Sequence, residues 1–128
     1  GYCPHNELVG KLHQYQVNCF PSIWEETFCI SAMESLAAGQ ILITTDLGAL
    51  FETCAEFPIY IPYTSDKKTL AVQLGESILQ TKEILKQDIS EAMKFQQEYY
   101  KRFYNWNKIG SFWTNFLKGA LHVKRQSQ

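Results

Sequence analysis

Three short apolar runs, separated by segments with helical spacing, restrict this chain to few folds. The runs cover residues 16–20, 40–45 and 58–63, and Val, Ile and Tyr make them prone to form strands. Between the first two, apolar residues recur at helical spacing over 28–38, and Gly39 is expected to end that helix. Strands that alternate with crossovers of this length predict a parallel sheet covered by helices, with right-handed connections.

The two ends of the chain extend this pattern. Residues 1–3 resemble the end of a strand, and a helix capped by Asn6 should follow Pro4. Beyond Tyr63 the pattern is helical throughout, and Ser65 or Asp66 is the expected first cap. The helices predicted there cover residues 65–81, 82–105 with a break near 87–90, and 105–121. We therefore predict one partial Rossmann-like domain over 1–128, with a β/α core over 1–63 and helices over 64–128.

Charge and composition exclude some classes of function. The chain has 128 residues, a formal net charge of -1 and a pI of about 6.3. General electrostatic binding of nucleic acid requires an excess of basic residues, so no nucleic-acid partner is expected. No apolar run approaches the ~20 residues of a membrane span, and no leader peptide is recognisable. The sequence thus predicts a cytoplasmic protein without a membrane span, and leaves peripheral contact with a membrane open.

The cysteines and histidines give no metal-binding pattern. The four cysteines are widely spaced without a C-x-x-C pair, and the three histidines do not complete a zinc motif. Cys19 lies in an apolar run and is expected to be a small core residue. These features predict a reduced intracellular protein with no metal and no cofactor.

Two glutamates, Glu26 and Glu34, lie around the turn from a polar loop into the second helix. In an open parallel sheet, ligands bind beyond the carboxyl ends of the strands, where this loop lies. The unpaired amides at a helix N-terminus favour a phosphate, whereas ionised carboxylates accept only from donors such as hydroxyls. A ligand with hydroxyl groups on both sides of a phosphate has the chemistry of a nucleotide sugar. The alternative is structural, because Ser31 to Glu34 fits the S-x-x-E capping box, and the residues alone do not decide between the two.

The segment PSIWEETFCISAMESLAAGQILITTDLGAL resembles the sugar-donor motif of retaining glycosyltransferases of the GT-B architecture, family 4 type. That motif has two glutamates with seven residues between them, the E-x7-E pattern, followed by a strand and a glycine loop. The matching positions are Pro21, Ser22, Glu26, Phe28, Glu34, Ala37, Gly39, Gly48 and Glu52. The resemblance is clear over residues 1–62, and it implies the truncated C-terminal half of a GT-B enzyme, with an α/β, Rossmann-like parallel sheet flanked by helices.

Roles for single residues follow from this resemblance alone. It implies that Glu26 contacts the transferred sugar as the catalytic residue, and that Glu34 contacts the ribose. The remaining implied donor-binding positions are backbone contacts at Thr27, Phe28, Cys29, Ile30, Gly48 and Ala49. Thr27 and Cys29 replace glycines of the family pattern, which alters the pocket without removing the amides.

The resemblance also implies partners. A nucleotide-sugar donor is expected, together with an N-terminal acceptor domain of the same protein that precedes this chain, so that the fragment alone is expected to be inactive. The full-length protein would be a hexosyltransferase that retains anomeric configuration. The alternatives are a non-catalytic nucleotide- or protein-binding module derived from such a domain, and a phosphorylase-like or epimerase-like sugar enzyme.

Four further residues, three tryptophans and a histidine, are interpreted from their positions in the sequence. Trp24 either lines the sugar or acceptor site or covers the edge of the domain, and the sequence does not separate these. Trp106 and Trp113 belong to an apolar stripe that is expected to lie in the core. His5 is expected to be a surface helix residue without a chemical role.

Overall fold

The chain forms a three-layer α/β domain around a short parallel sheet. A computed structural model describes residues 2–126, with side chains as far as residue 121. The sheet has the strands β1 (Val17–Phe20), β2 (Ile41–Thr45) and β3 (Ile59–Ile61), in the order β1-β2-β3. The helices are α1 (His5–Leu12), α2 (Ile30–Ala37), α3 (Leu50–Cys54), α4 (Lys67–Ile84), α5 (Ser90–Phe103) and α6 (Trp106–Gln126).

The central strand is the most apolar and the most deeply buried. Every residue of β2 is buried, as expected for a parallel strand covered on both faces. Val17 of β1 is paired with Ile41, and Ile59 of β3 is paired with Ile43, both in parallel register. This confirms the predicted fold class, and it places the carboxyl ends of the three strands at one edge of the sheet.

Alternate residues of β2 point into two separate cores. Leu42 packs into a cluster with Leu36 of α2, Leu50 of α3 and Tyr100 of α5. Its neighbour Ile43 belongs instead to a smaller cluster on α4. Because side chains alternate across a strand, α2, α3 and α5 cover one face and α4 covers the other.

Buried amide side chains join α1, α2 and α5. Gln96 is 1% exposed, and its Nε2 donates to the carbonyl oxygens of Leu36 at 2.8 Å and Gln40 at 3.1 Å. The Nε2 of Gln40 donates to the carbonyl oxygen of Leu12 at 2.8 Å, at the end of α1. Buried polar groups of this kind are tolerated because they are hydrogen-bonded. They hold α2 in a fixed position against the sheet.

Several predicted helix ends are confirmed. Gly39 follows α2 with a φ of 83°, a left-handed value that favours glycine after a helix. Asp66 caps α4 by accepting from the amides of Lys68 and Thr69. The predicted break near 87–90 separates α4 from α5.

Other local predictions were wrong. Tyr2 and Cys3 lie outside any strand, and Pro4 rather than Asn6 precedes α1. The helix predicted to end at residue 81 continues to Ile84. Cys19 is exposed, because it lies on β1 at an edge of the sheet formed by the described residues.

The aromatic stripe of α6 is on the surface and not in the core, which corrects its interpretation from the sequence. Trp106 is 78% exposed and Trp113 is 53% exposed, and Phe112 and Phe116 beside them are also exposed. These rings contact one another along the helix. No helix within the described residues is both long enough and apolar enough to cross a bilayer.

Candidate functional site

The loop that follows β1 is anchored to the end of β2. The hydroxyl of Thr44 donates to the carbonyl oxygen of Phe20, and that of Thr45 donates to the carbonyl oxygen of Ser22, each at 2.7 Å. Ser22 is buried, and its Oγ lies 3.4 Å from Oε1 of Glu26. Two threonines of a fully buried strand thus hold the loop that carries Glu26.

A second loop, which follows β2, supports the same segment. Gly48 has a φ of 62° and lies against the backbone of Glu25 and Glu26. The amide of Ala49 donates to the carbonyl oxygen of Glu26 at 2.7 Å. The two loops predicted to bind the donor are therefore in direct contact. The amide of Ala49 is already used in this contact.

The N-terminus of α2 lies between the two glutamates. Cys29 is the residue before the helix, and no side chain caps it. The amides of residues 27–30 have no hydrogen-bond partner among the residues that the structure describes. Unpaired amides and the positive end of the helix dipole make such a turn suitable for an anion.

The capping box between Ser31 and Glu34 does not form. The helix begins at Ile30, so Ser31 already lies inside its first turn and is not in the capping position. The carboxylate of Glu34 has a different partner, described below. This excludes the capping box as the role of Glu34.

Glu34 contacts a residue of α1. Its Oε1 lies 2.7 Å from Nε2 of His5, the first residue of that helix. The side chain of Glu34 is 24% exposed, whereas that of His5 is 72% exposed. Of the contacts between a basic and an acidic side chain seen among the described residues, this is the one that involves a predicted site residue.

Cys29 is buried beside the site. Burial raises the pKa of its thiol, the amides of Ala32 and Ser31 lower it, and the nearby Glu26 carboxylate raises it further. The thiol is therefore neutral at physiological pH, so this position supplies no negative charge against a bound anion.

The exposed face of α2 forms one wall of a largely apolar cleft of about 460 Å³. Phe28, Ile30 and Glu34 line it from the side of α2, and Tyr104 and Trp106 line it from the junction of α5 and α6. The ring centroids of Phe28 and Tyr104 are 6.4 Å apart. Glu34 therefore lies at the border between the helix N-terminus and an apolar surface.

The structure brings most predicted site residues together at the carboxyl edge of the sheet. Glu26, the amides of 27–29, Gly48 and Ala49 lie on the two connected loops, and Ile30 and Glu34 follow within α2. Trp24 is exposed on the first loop, 76% accessible to solvent, beside its hydrogen-bond partner Ser22. Within the described residues, no three His, Cys, Asp or Glu side chains gather as a metal site would require.

Sequence reasoning missed His5 and the anchoring threonine Thr45. His5 is separated from Glu34 by the whole of β1 and its loop, so neither spacing nor periodicity signals their contact. Thr45 belongs to an apolar run, where Thr is expected for its β propensity. The signal that could have identified Thr45 is its polar side chain at the end of an otherwise apolar strand.

Comparison with known families agrees with this geometry. A family model described as "Glycosyl transferases group 1" matches residues 1–95, which include all three strands and both loops of the site. No curated protein and no solved structure gives a significant match. Since the match covers well over half of the chain, this protein belongs to the group 1 glycosyltransferase family.

Proposed function

We propose that this domain binds a nucleoside diphosphate sugar and presents the sugar for transfer to an acceptor. The observation that carries the proposal is the pair of carboxylates, Glu26 and Glu34, on either side of a helix N-terminus with unpaired amides. The amides of 27–30 would bind the diphosphate. The carboxylates are acceptors, so they suit the hydroxyls at its two ends.

The two carboxylates have different surroundings and so receive different roles. Glu26 lies on the loop side, near the hydroxyl of Ser22, and we assign it to the sugar. Glu34 lies on α2 at the edge of the apolar cleft, and we assign it to the ribose. Departure of the nucleoside diphosphate would be assisted by the helix N-terminus, whose fixed dipoles stabilise negative charge without a metal.

The proposal also specifies the sugar, the stereochemistry and the acceptor domain of the reaction. The donor sugar would be a hexose, transferred with retention of configuration to an acceptor held by an N-terminal domain of the full-length protein. The chain by itself would be inactive. The support for this part is membership of the family together with the donor-type site, since no acceptor-binding element is assigned among the described residues.

Calorimetric titration of the full-length protein with UDP, GDP and ADP tests the binding role. At least one nucleotide should bind, and Glu34→Ala should weaken that binding by about 1–3 kcal/mol, as for the loss of a buried hydrogen-bond partner. Glu25→Ala is the matched control, because Glu25 is the exposed neighbour of Glu26. Equal binding in all three proteins would contradict the proposal. Nucleotide binding without sugar transfer would favour the non-catalytic module.

A further inference from the structure

His5 and Glu34 form a contact between α1 and α2, two helices that otherwise make few contacts with each other. None of the residues of α1 is buried, so this helix lies on the surface of the domain. Its first side chain nevertheless reaches Glu34 in the middle of α2, with 2.7 Å between Nε2 and Oε1. An ionised carboxylate can only accept, so the proton of this hydrogen bond belongs to Nε2.

The contact occupies only part of the carboxylate. Glu34 has two oxygens with about four acceptor positions between them. Oε2 has no hydrogen-bond partner among the residues that the structure describes. A glutamate without any partner samples several side-chain rotamers, and that freedom is lost when a ligand binds. Fixing Oε1 in advance therefore reduces the cost of presenting Oε2 to a ligand.

The two partners of this contact differ in their exposure to solvent. Glu34 is mostly covered, whereas most of the His5 side chain lies in solvent. A polar contact with one partner this exposed contributes little to the stability of a fold. The effect of His5 should therefore be seen in the orientation of Glu34 more than in the stability of the domain.

We propose that His5 is a positioning residue for the donor: it holds the Glu34 carboxylate through Oε1 and leaves Oε2 to accept from a ribose hydroxyl. This inference rests on the proposed function, because it requires Glu34 to be the ribose contact. It adds a residue of α1 to a site otherwise formed by the two loops and α2.

The test compares ribose and deoxyribose ligands in variants of the full-length protein. The ligands are whichever nucleoside diphosphate binds the unmodified protein, and its 2′-deoxy and 3′-deoxy counterparts. His5→Ala should raise the Kd of the ribonucleotide about two- to fivefold, the range for loss of an exposed charge-assisted contact. It should leave unchanged the Kd of the deoxynucleotide that lacks the hydroxyl bound by Glu34.

Two further variants control this comparison. His5→Gln retains an N–H donor at the end of a flexible side chain and should recover part of the affinity. His13→Ala removes the other histidine of this region, at the exposed end of α1, and should leave every Kd unchanged. Thermal melting of each variant shows whether the fold is preserved.

Glu34→Gln distinguishes failure of this inference from failure of the proposed function. If Glu34→Gln weakens ribonucleotide binding and His5→Ala does not, the positioning role is wrong and the proposed function stands. An equal loss for ribose and deoxyribose ligands in His5→Ala would show a merely structural contact and overturn the inference. Tighter binding in His5→Ala would overturn it too, because His5 would then compete with the ribose. If Glu34→Gln has no effect, both proposals fail.

Discussion

Gly48 lies so close to Glu26 that no side chain fits between them. A Cβ atom at Gly48 would lie 2.6 Å from the backbone nitrogen of Glu26 and 2.7 Å from its carbonyl oxygen. Backbone atoms cannot move aside as a flexible side chain can. The loop after β2 therefore fixes the position of the loop that carries the proposed sugar contact.

Gly48→Ala should consequently destabilise the protein by about 2 kcal/mol or more, because a left-handed alanine costs ~1–2 kcal/mol before any clash is counted. Gly75→Ala is a matched control, since Gly75 lies inside α4 and a Cβ atom there would have no neighbour within 4 Å apart from the adjoining backbone of its own helix. That change should stabilise the protein by about 0.5–1 kcal/mol. Urea unfolding of both variants gives the two values, and equal effects would contradict the contact.

Glu26→Gln should lower the rate of sugar transfer while nucleotide affinity is nearly kept. The amide keeps the size of the side chain but removes the charge that we assign to the sugar. Loss of a group that stabilises a transition state typically lowers kcat by about 10²–10³-fold. Initial rates of the full-length protein with the cognate donor, and calorimetry with the nucleotide alone, separate the two effects. A Glu26→Gln enzyme of normal kcat would exclude the sugar-contact role.

Gln96→Ala should weaken the attachment of α5 to α2. The change removes two buried hydrogen bonds, those from Nε2 to the carbonyl oxygens of Leu36 and Gln40, at an expected cost of about 1–3 kcal/mol. Gln80→Ala, at an exposed position of α4, should change the unfolding free energy by less than about 0.5 kcal/mol. Thermal or urea unfolding measures both, and a Gln96→Ala protein as stable as the control would contradict this role.

Stability should fall in alkaline solution. Burial, followed by the neighbouring Cys29, raises the pKa of the Cys54 thiol from 9.0 to about 12. Burial likewise raises the pKa values of the Tyr60 and Tyr100 phenols. Above pH 9 the unfolded chain releases protons that the folded chain retains, so the free energy of unfolding decreases as pH rises.

The contribution of one such group is about 1.4 kcal/mol per pH unit between its unfolded and folded pKa values. Melting temperatures measured from pH 8 to about 11 should therefore decline, and Cys54→Ala should make the decline shallower. Parallel declines in the two proteins would show that Cys54 is not among the groups responsible.

The fold was largely predictable because its determinants are local. The apolar run of β2, the glycine after α2 and the aspartate before α4 each act within a few residues. The contacts of the site were not predictable in this way. His5 meets Glu34, and Gly48 meets Glu26, across separations that only the assembled sheet brings together.

The aromatic stripe of α6 shows a second limit. Spacing of Trp106, Trp113 and Phe116 correctly predicted a helix with one apolar face. Periodicity identifies such a face but contains no information on what covers it, and in this structure the face is exposed. Cys19 was misassigned for a related reason, because an apolar strand can lie at the edge of a sheet.

The backbone around the helix N-terminus has a consequence for protein engineering. Among the described residues, Ala55 is the one non-glycine residue with a positive φ, so Thr27 and Cys29 adopt ordinary backbone conformations at the two positions where the resembled donor motif implies glycine. Position 27 is exposed and can be randomised in a library without backbone strain, whereas buried position 29 should be restricted to small side chains. On the proposed function, directed evolution at residue 27 would alter donor preference, provided that Gly48 is left unchanged.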